Sequence, residues 1–320
     1  MRVFLTGGAG FLGREVARLL VARGDAVRVL VPDTERALPL RELGCHIVSG
    51  DLSDEAALVT ALRGSQALVH CAYLDGVGLP ESRRAELVDT NVRGTERMLG
   101  AALTAGIHKA VHVSTAAVLG STGGRVADET WTRDPCLPWA SVRDETRAIA
   151  HGRAQDLSAR GLPLTIVMPG MLYGPADPGP LGLLAAQLRG GHLHALAFPD
   201  LGITPVHRDD AAAGVLAALD KGAPGESYLL AGEPVLLREL VALLAEVAGR
   251  RAPRLRLPTG LLKALSPVGQ IVGRTIGLGP NLAEVVRSFD GATFWVCSDK
   301  AQRELGWSAR PLREGLVDLV

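Results

Sequence analysis

The sequence predicts an α/β fold, a doubly wound parallel sheet followed by a smaller, mainly helical C-terminal lobe. Three observations carry this reading. Short apolar runs alternate with amphipathic segments as far as Met168, the pattern of parallel strands joined by crossover helices. Glycines at 7, 10 and 13 punctuate the first strand-to-helix transition. From Pro175 onward, prolines and glycines break the alternation into shorter pieces.

In chain order, Val3 to Leu5 is an apolar run ending in Thr6, and Leu12, Val16, Leu19 and Leu20 recur with helical period. Between them Gly7 permits a tight turn, Gly10 lets backbone amides approach a pyrophosphate, and Gly13 allows close helix–strand packing. The helix start at Phe11 and Leu12 offers free N–H donors and a positive dipole end to that charge. Glycine spacing alone is a weak signal in a chain with 38 glycines; its place between strand and helix makes it specific. Ala26 to Val31 reads as a second strand, ending at Pro32-Asp33-Thr34 where an adenosine ribose would sit. Asp33 is the acid that suits NAD and Arg36 the cation that suits NADP, so the choice between them stays open.

Cys45 to Val48 reads as a third strand and Ala67 to Ala72 as a fourth, followed by a helix near Glu81 to Ala105 and a strand Lys109 to Ser114. Ligands of such sheets bind beyond the carboxyl ends of the strands, which brings Thr6, Tyr73 and Thr115 together. A helix from Ser141 to about Ala159 and a strand Leu164 to Met168 follow, broken by Pro169-Gly170. The chain then leaves the sheet and returns through a strand Thr204 to Val206, a helix capped by Asp209, and a strand Tyr228 to Leu230. The expected division is a dinucleotide-binding domain over 1–175, with 201–232 rejoining it. Residues 176–200 and 233–320 form the substrate lobe.

Hydrophobic residues make up 47% of the 320, enough for a sizeable core, and 34 basic residues balance 34 acidic ones. No net field favours nucleic acid or anionic lipid. Four cysteines without CxxC spacing fit a reduced, cytoplasmic protein, and a first strand starting almost at Met1 leaves no signal peptide to expect. The apolar stretch Leu257 to Leu278 contains Lys263, Arg274 and two prolines, so it suits a pocket wall better than a membrane span. His108 with His112, and His192 with His194, lack the carboxylates and helical face of a metal site. No Gly-x-Ser-x-Gly elbow is present.

Several stretches in this order resemble the extended short-chain dehydrogenase/reductase family, its dihydroflavonol-reductase-like branch in particular. They are Thr6-Gly-Gly-Ala-Gly-Phe-Leu-Gly13, Gly50-Asp-Leu52, His70-Cys-Ala72, Asn91-Val-Arg-Gly-Thr95 and Ser114-Thr-Ala-Ala-Val-Leu-Gly120. Ala127-Asp-Glu129, Pro169-Gly-Met-Leu-Tyr-Gly-Pro175, Val206-His-Arg-Asp-Asp210 and Asp299-Lys-Ala-Gln-Arg-Glu-Leu-Gly-Trp307 continue the likeness to the end. The resemblance implies a Rossmann-type domain holding NAD(P)H and a dimer formed through two long helices. It places cofactor contacts at Gly7, Gly10, Phe11, Leu12, Gly13, Asp51, Leu52, Ala72, Tyr73, Arg143 and Pro169, with Asp51 on the adenine. Thr115 is implied at the reacting oxygen.

One departure bears on the chemistry. Such enzymes carry a tyrosine and, four residues later, a lysine at the start of the helix after the Ser/Thr motif. The matching segment here is Pro138-Trp-Ala-Ser-Val-Arg143, with Trp139 and Arg143 at the two positions. An indole N–H cannot transfer a proton near neutrality and guanidinium stays charged. Met168 stands where arginine is common in such enzymes. Tyr73, Tyr173 and Tyr228 are the only tyrosines, and none has a lysine four residues later. Three readings follow: an atypical reductase with another proton source, Tyr73 or else Thr115 or water; a redox-neutral epimerase or dehydratase; and a cofactor-binding sensor without turnover. Trp139 is expected to line the pocket and Asn91 to organise backbone near the site. The apolar residues Leu257, Leu261, Leu262, Leu265, Ile271 and Ile276 favour a hydrophobic substrate. Arg189, Arg251 and Arg274 keep a nucleotide sugar open.

Overall fold

Along the first strand, β1 (Arg2–Thr6), side chains alternate between two layers: Val3 and Leu5 enter one apolar cluster and Phe4 the other. A strand buried on both faces needs helices on both sides, and the rest of the domain supplies them. A computed structural model of the chain describes residues 1–74, 81–265 and 281–320, except the side chains of Arg36, Glu81 and Leu265.

After β1 come α1 (Phe11–Ala22), β2 (Ala26–Val31), α2 (Leu38–Glu42), β3 (His46–Ser49), α3 (Glu55–Leu62) and β4 (Ala67–His70). The helical stretch that follows comprises α4 (Arg84–Leu87), a wide π-type turn at Val88–Arg93 and α5 (Gly94–Thr104). Then come β5 (Lys109–Val113), α6 (Val142–Ala159), β6 (Leu164–Pro169), β7 (Met171–Tyr173), α7 (Pro180–Arg189), β8 (Ala195–Ala197) and β9 (Gly202–Ile203). β10 (Pro205–His207), α8 (Arg208–Lys221), β11 (Ser227–Leu230) and α9 (Leu237–Val247) complete the return and open the last segment.

Seven strands form one parallel sheet in the order β3-β2-β1-β4-β5-β6-β11. The order reverses between β1 and β4, the crevice where open α/β sheets bind ligands. α1 and α8 cover one face, and α3, α5 and α6 cover the other. A third apolar cluster joins α7 and α9 to helices Leu282–Phe289 and Leu312–Leu316. No helix among the described residues is long and apolar enough to cross a membrane.

Two expectations for the returning segment need correction. The short strand near Thr204 to Val206 pairs with β7 instead of joining the main sheet. The cap of α8 is His207, whose Nδ1 accepts from the Asp209 amide at 3.2 Å, and Asp209 itself lies in the first turn. Asp210 instead holds the Arg310 guanidinium at 2.8 Å.

Candidate active site

The turn after β1 is shaped by what a side chain would collide with. A Cβ at Gly7 would lie 2.6 Å from the Ala72 nitrogen, and one at Gly13 would lie 2.1 Å from the Gly7 carbonyl oxygen. Gly7 adopts φ +72°, a conformation open to glycine. The Gly10 amide closes the turn on the Gly7 carbonyl at 2.9 Å. Thr6 Oγ1 accepts from the Ala72 amide at 3.3 Å, so Ala72 is pinned against the glycine floor. Ala9 and Gly10 remain exposed and Phe11 half-buried, and the first amides of α1 have no partner within the helix. Exposed backbone at the N-terminus of a twelve-residue helix, beside a turn with no room for side chains at Gly7 and Gly13, fits a dinucleotide pyrophosphate.

Around the cradle the predicted contacts fall as follows. Asp33 is exposed and Oδ1 accepts from the Glu35 amide at 2.9 Å; the Arg36 side chain lies outside the described residues. Asp51 Oδ1 accepts from the Ser53 amide at 2.8 Å and from its hydroxyl, and these bonds hold its carboxyl below the usual range. Asp51 therefore caps a turn at the sheet edge. Leu52 packs against Gly94 and its carbonyl accepts from Arg97 at 3.2 Å. Pro169 ends β6 beside Leu230 of β11.

Tyr73 sits just beyond β4 and Thr115 just beyond β5, neighbouring strands of the sheet. Thr115 is 8% exposed and caps a short 3-10 turn, its Oγ1 accepting from the Ala117 amide at 3.3 Å. Tyr73 is 38% exposed, and the Arg147 guanidinium carbon stands 3.5 Å from its ring centroid. Asn91 does organise backbone: Oδ1 accepts from the Leu74 amide at 2.7 Å and Nδ2 donates to the Leu74 carbonyl at 3.0 Å.

The expected Trp139/Arg143 pair does not share a helical face. Ser141 caps α6, its Oγ accepting from the Asp144 amide at 3.1 Å, so the helix starts at Val142 and leaves Trp139 in the preceding loop. Arg143 is half-buried and pairs with Asp144 at 2.7 Å. Trp139 stacks under Arg133, 3.9 Å from its ring centroid. With Lys263, Ala283, Val286 and Arg287 it lines a cleft of about 510 Å³. Of the lobe residues expected to wall a pocket, Leu262 is buried in the lobe core and Leu257 packs on it, while Leu261 is exposed. The Leu265 side chain, Ile271, Arg274 and Ile276 lie outside the described residues. Arg189 donates to the Leu319 carbonyl at 3.0 Å, which occupies it with the C-terminal segment.

Arg147, His151, His70 and His112, all near these strand ends, are not expected as site residues from the sequence. Arg143, Arg147 and His151 follow one another at four-residue spacing along α6, so they form one row. His151 Nδ1 lies 3.0 Å from Ser114 Oγ. His70 and His112 are register partners on β4 and β5 and stack at 5.3 Å. His70 bridges Thr6 Oγ1 at 2.7 Å and Thr95 Oγ1 at 3.1 Å. Burial pushes His70 and His151 down to about 4, and it pushes His112 down as well, with His70, His151 and Arg147 adding repulsion.

These depressions carry a stability consequence. The unfolded chain takes up protons near the ordinary histidine value of about 6.5 while the folded one resists to about 4. The histidine contribution is therefore complete above about pH 6.5 and is lost as pH falls towards 4. Thermal melts should drop between pH 7 and 4.5, and a His70→Gln, His151→Gln double variant should show a shallower drop. An equally steep drop in that variant would remove the histidines as its cause.

A pyrophosphate cradle at the switch point of a parallel sheet, with hydroxyls at the next two strand ends, defines a nicotinamide-dinucleotide-binding enzyme. The chain belongs to the NAD dependent epimerase/dehydratase family, whose profile matches residues 3–231. It is 32% identical over 322 residues to the 4-hydroxy-2-methyl-3-oxo-4-farnesyl-3,4-dihydroquinoline-1-oxide ketoreductase of Stigmatella aurantiaca, covering 99% of this chain and 95% of that one. It is 31% identical over 268 residues to sterol demethylase protein B of Methylococcus capsulatus, covering 83% and 80%. Among solved structures, the dTDP-glucose 4,6-dehydratase DesIV of Streptomyces venezuelae, with NAD bound, superposes with a TM-score of 0.78 at 25% identity, covering 100% and 96%.

Proposed function

We propose that the protein reduces a carbonyl group of a small, largely apolar metabolite, as an atypical member of the dihydroflavonol-reductase-like branch. The observation that carries this is the placing of Tyr73 and Thr115 at adjacent strand ends beside the glycine cradle. A bound nicotinamide supplies the hydride. Thr115 orients the carbonyl oxygen, and Tyr73 delivers the proton that oxygen needs as charge develops on it. Trp139 forms an apolar wall of the cleft, and Arg143 steadies the cofactor ribose. The ketoreductase likeness over nearly the whole chain supports net reduction, and its farnesylated substrate name supports an apolar one.

A redox-neutral reading, epimerisation or dehydration, has more direct backing in the family description and in the dehydratase neighbour. The two readings begin from opposite ends: reduction needs the reduced cofactor and a carbonyl, whereas the redox-neutral route needs the oxidised cofactor and an alcohol, and ends with the cofactor as it began. Incubation with a panel of apolar ketones and excess NADH or NADPH, and in parallel with the corresponding alcohols and NAD or NADP, separates them. Net reduction consumes one cofactor per alcohol formed. Isomerised or dehydrated product with cofactor absorbance unchanged would replace reduction by the second reading.

A further inference from the structure

We propose that Arg251, Arg254, Arg256, Leu255 and Leu261 form a docking surface for an anionic lipid bilayer, which the protein meets peripherally. The chain as a whole is neutral, with 34 basic and 34 acidic residues, but its charge is unevenly spread. No aspartate or glutamate occurs between Glu246 and Glu284, while Arg250, Arg251, Arg254, Arg256 and Lys263 crowd into 250–263. A local excess of this kind draws anionic surfaces even when the net charge is zero.

The fold turns this excess outward. The strand Leu255–Leu257 pairs in parallel with β8, and no further strand covers its other edge among the described residues. Leu257 packs on the lobe core, whereas Leu255, on the same side of the strand, is 66% exposed. Arg254 and Arg256 point to the opposite side and are exposed, as is Arg251 just before the strand. Arg250 donates to the Arg189 carbonyl at 3.1 Å. The acids flanking the run are turned to other partners: Glu246 to Arg313 at 2.8 Å, Glu284 to Asn281 at 3.1 Å and Asp290 to Lys263 at 2.7 Å. The helix Thr259–Leu265 continues the rim, with Leu262 buried in the core and Leu261 49% exposed.

The chemistry of the rim favours lipid over other polyanions. Nucleic acid is gripped by cations together with stacking aromatics, and no aromatic residue occurs between Tyr228 and Phe289. Exposed leucines among arginines suit the boundary of headgroup and acyl chain: guanidinium groups meet lipid phosphates while leucine enters hydrocarbon. An uncovered strand edge presents both of its sides to a flat surface at once, so Leu255 and the two strand arginines engage together. Lys263, on the same helix as Leu261, walls the cleft beside Trp139. Docking therefore brings the cleft close to lipid, where an apolar substrate concentrates. That consequence rests on the apolar-substrate reading above; the docking itself does not.

Co-sedimentation with vesicles tests the docking without cofactor or substrate. Phosphatidylcholine vesicles containing phosphatidylglycerol should bind the protein at least about tenfold more tightly than phosphatidylcholine alone, and added salt should narrow the difference. The triple variant Arg251→Gln, Arg254→Gln, Arg256→Gln should lose at least about 30-fold of that affinity. Leu255→Ser with Leu261→Ser should lose at least about threefold and keep the salt dependence. All five side chains are exposed, so melting temperatures should stay near the parent's. Equal binding to the two vesicle types, or undiminished binding by the arginine variant, overturns the proposal. So does parental binding by the leucine variant, or tighter binding to polyuridylate or polyglutamate than to the mixed vesicles, since either marks a general polyanion site. If a variant fails to fold, the parent's preference among the two vesicle types and the polyanions decides. Absence of turnover on any ketone would strike the reductase reading and leave this result standing.

Discussion

Gly10→Val is expected to weaken NAD(P)H binding severely and to leave the protein folded. Gly10 sits at φ −77°, ψ 172°, which any residue adopts, and a Cβ there would meet only the Gly7 carbonyl oxygen, at 3.1 Å. The position is exposed, so on the proposed seating of the pyrophosphate against the amides of Gly10, Phe11 and Leu12 a valine side chain there would compete for its space. Binding by cofactor fluorescence should weaken at least about 100-fold, roughly 2.7 kcal/mol, with the melting temperature nearly unchanged. Gly13→Ala makes the contrast. Its Cβ would stand 2.1 Å from a backbone oxygen, so the helix must move, at a stability cost of about 1–3 kcal/mol. Undiminished binding by Gly10→Val would remove the pyrophosphate from this loop.

If Tyr73 is the proton donor, Tyr73→Phe should lower turnover at least tenfold and scarcely change cofactor affinity. Phenylalanine keeps the ring that stacks on Arg147 and leaves the Asn91 brace on Leu74 untouched; only the hydroxyl is lost. General acid catalysis contributes about 10²–10⁴-fold, and part survives if water takes over. The loss should fall on kcat, with KM little altered, because a group acting only in the transition state leaves ground-state binding alone. Near-parental kcat in Tyr73→Phe would exclude it as the donor.

The turn after β1 was legible because its requirement is steric: Gly7 and Gly13 leave no room for a Cβ. The parallel sheet was legible because apolar runs such as Ala67 to Ala72 alternate with amphipathic segments, as strands covered on both faces by crossover helices do. The row on α6 was not. The helix expected from Ser141 to about Ala159 already contains Arg143, Arg147 and His151, but what that row faces is decided by how α6 packs on the sheet. The His70–His112 stack depends on strand register, which a single strand's residues do not reveal. Arg147 touches Tyr73 across 74 positions of sequence, and no local pattern announces such a contact. His207 as a cap was hidden by the commoner choice of aspartate two residues later.

The direct test of the central claim is a crystal structure with NAD(P) bound. The expected result has the pyrophosphate on the amides of Gly10 to Leu12 and the nicotinamide C4 facing the space between the Tyr73 and Thr115 hydroxyls. A nicotinamide ring whose C4 lies out of reach of both would contradict it.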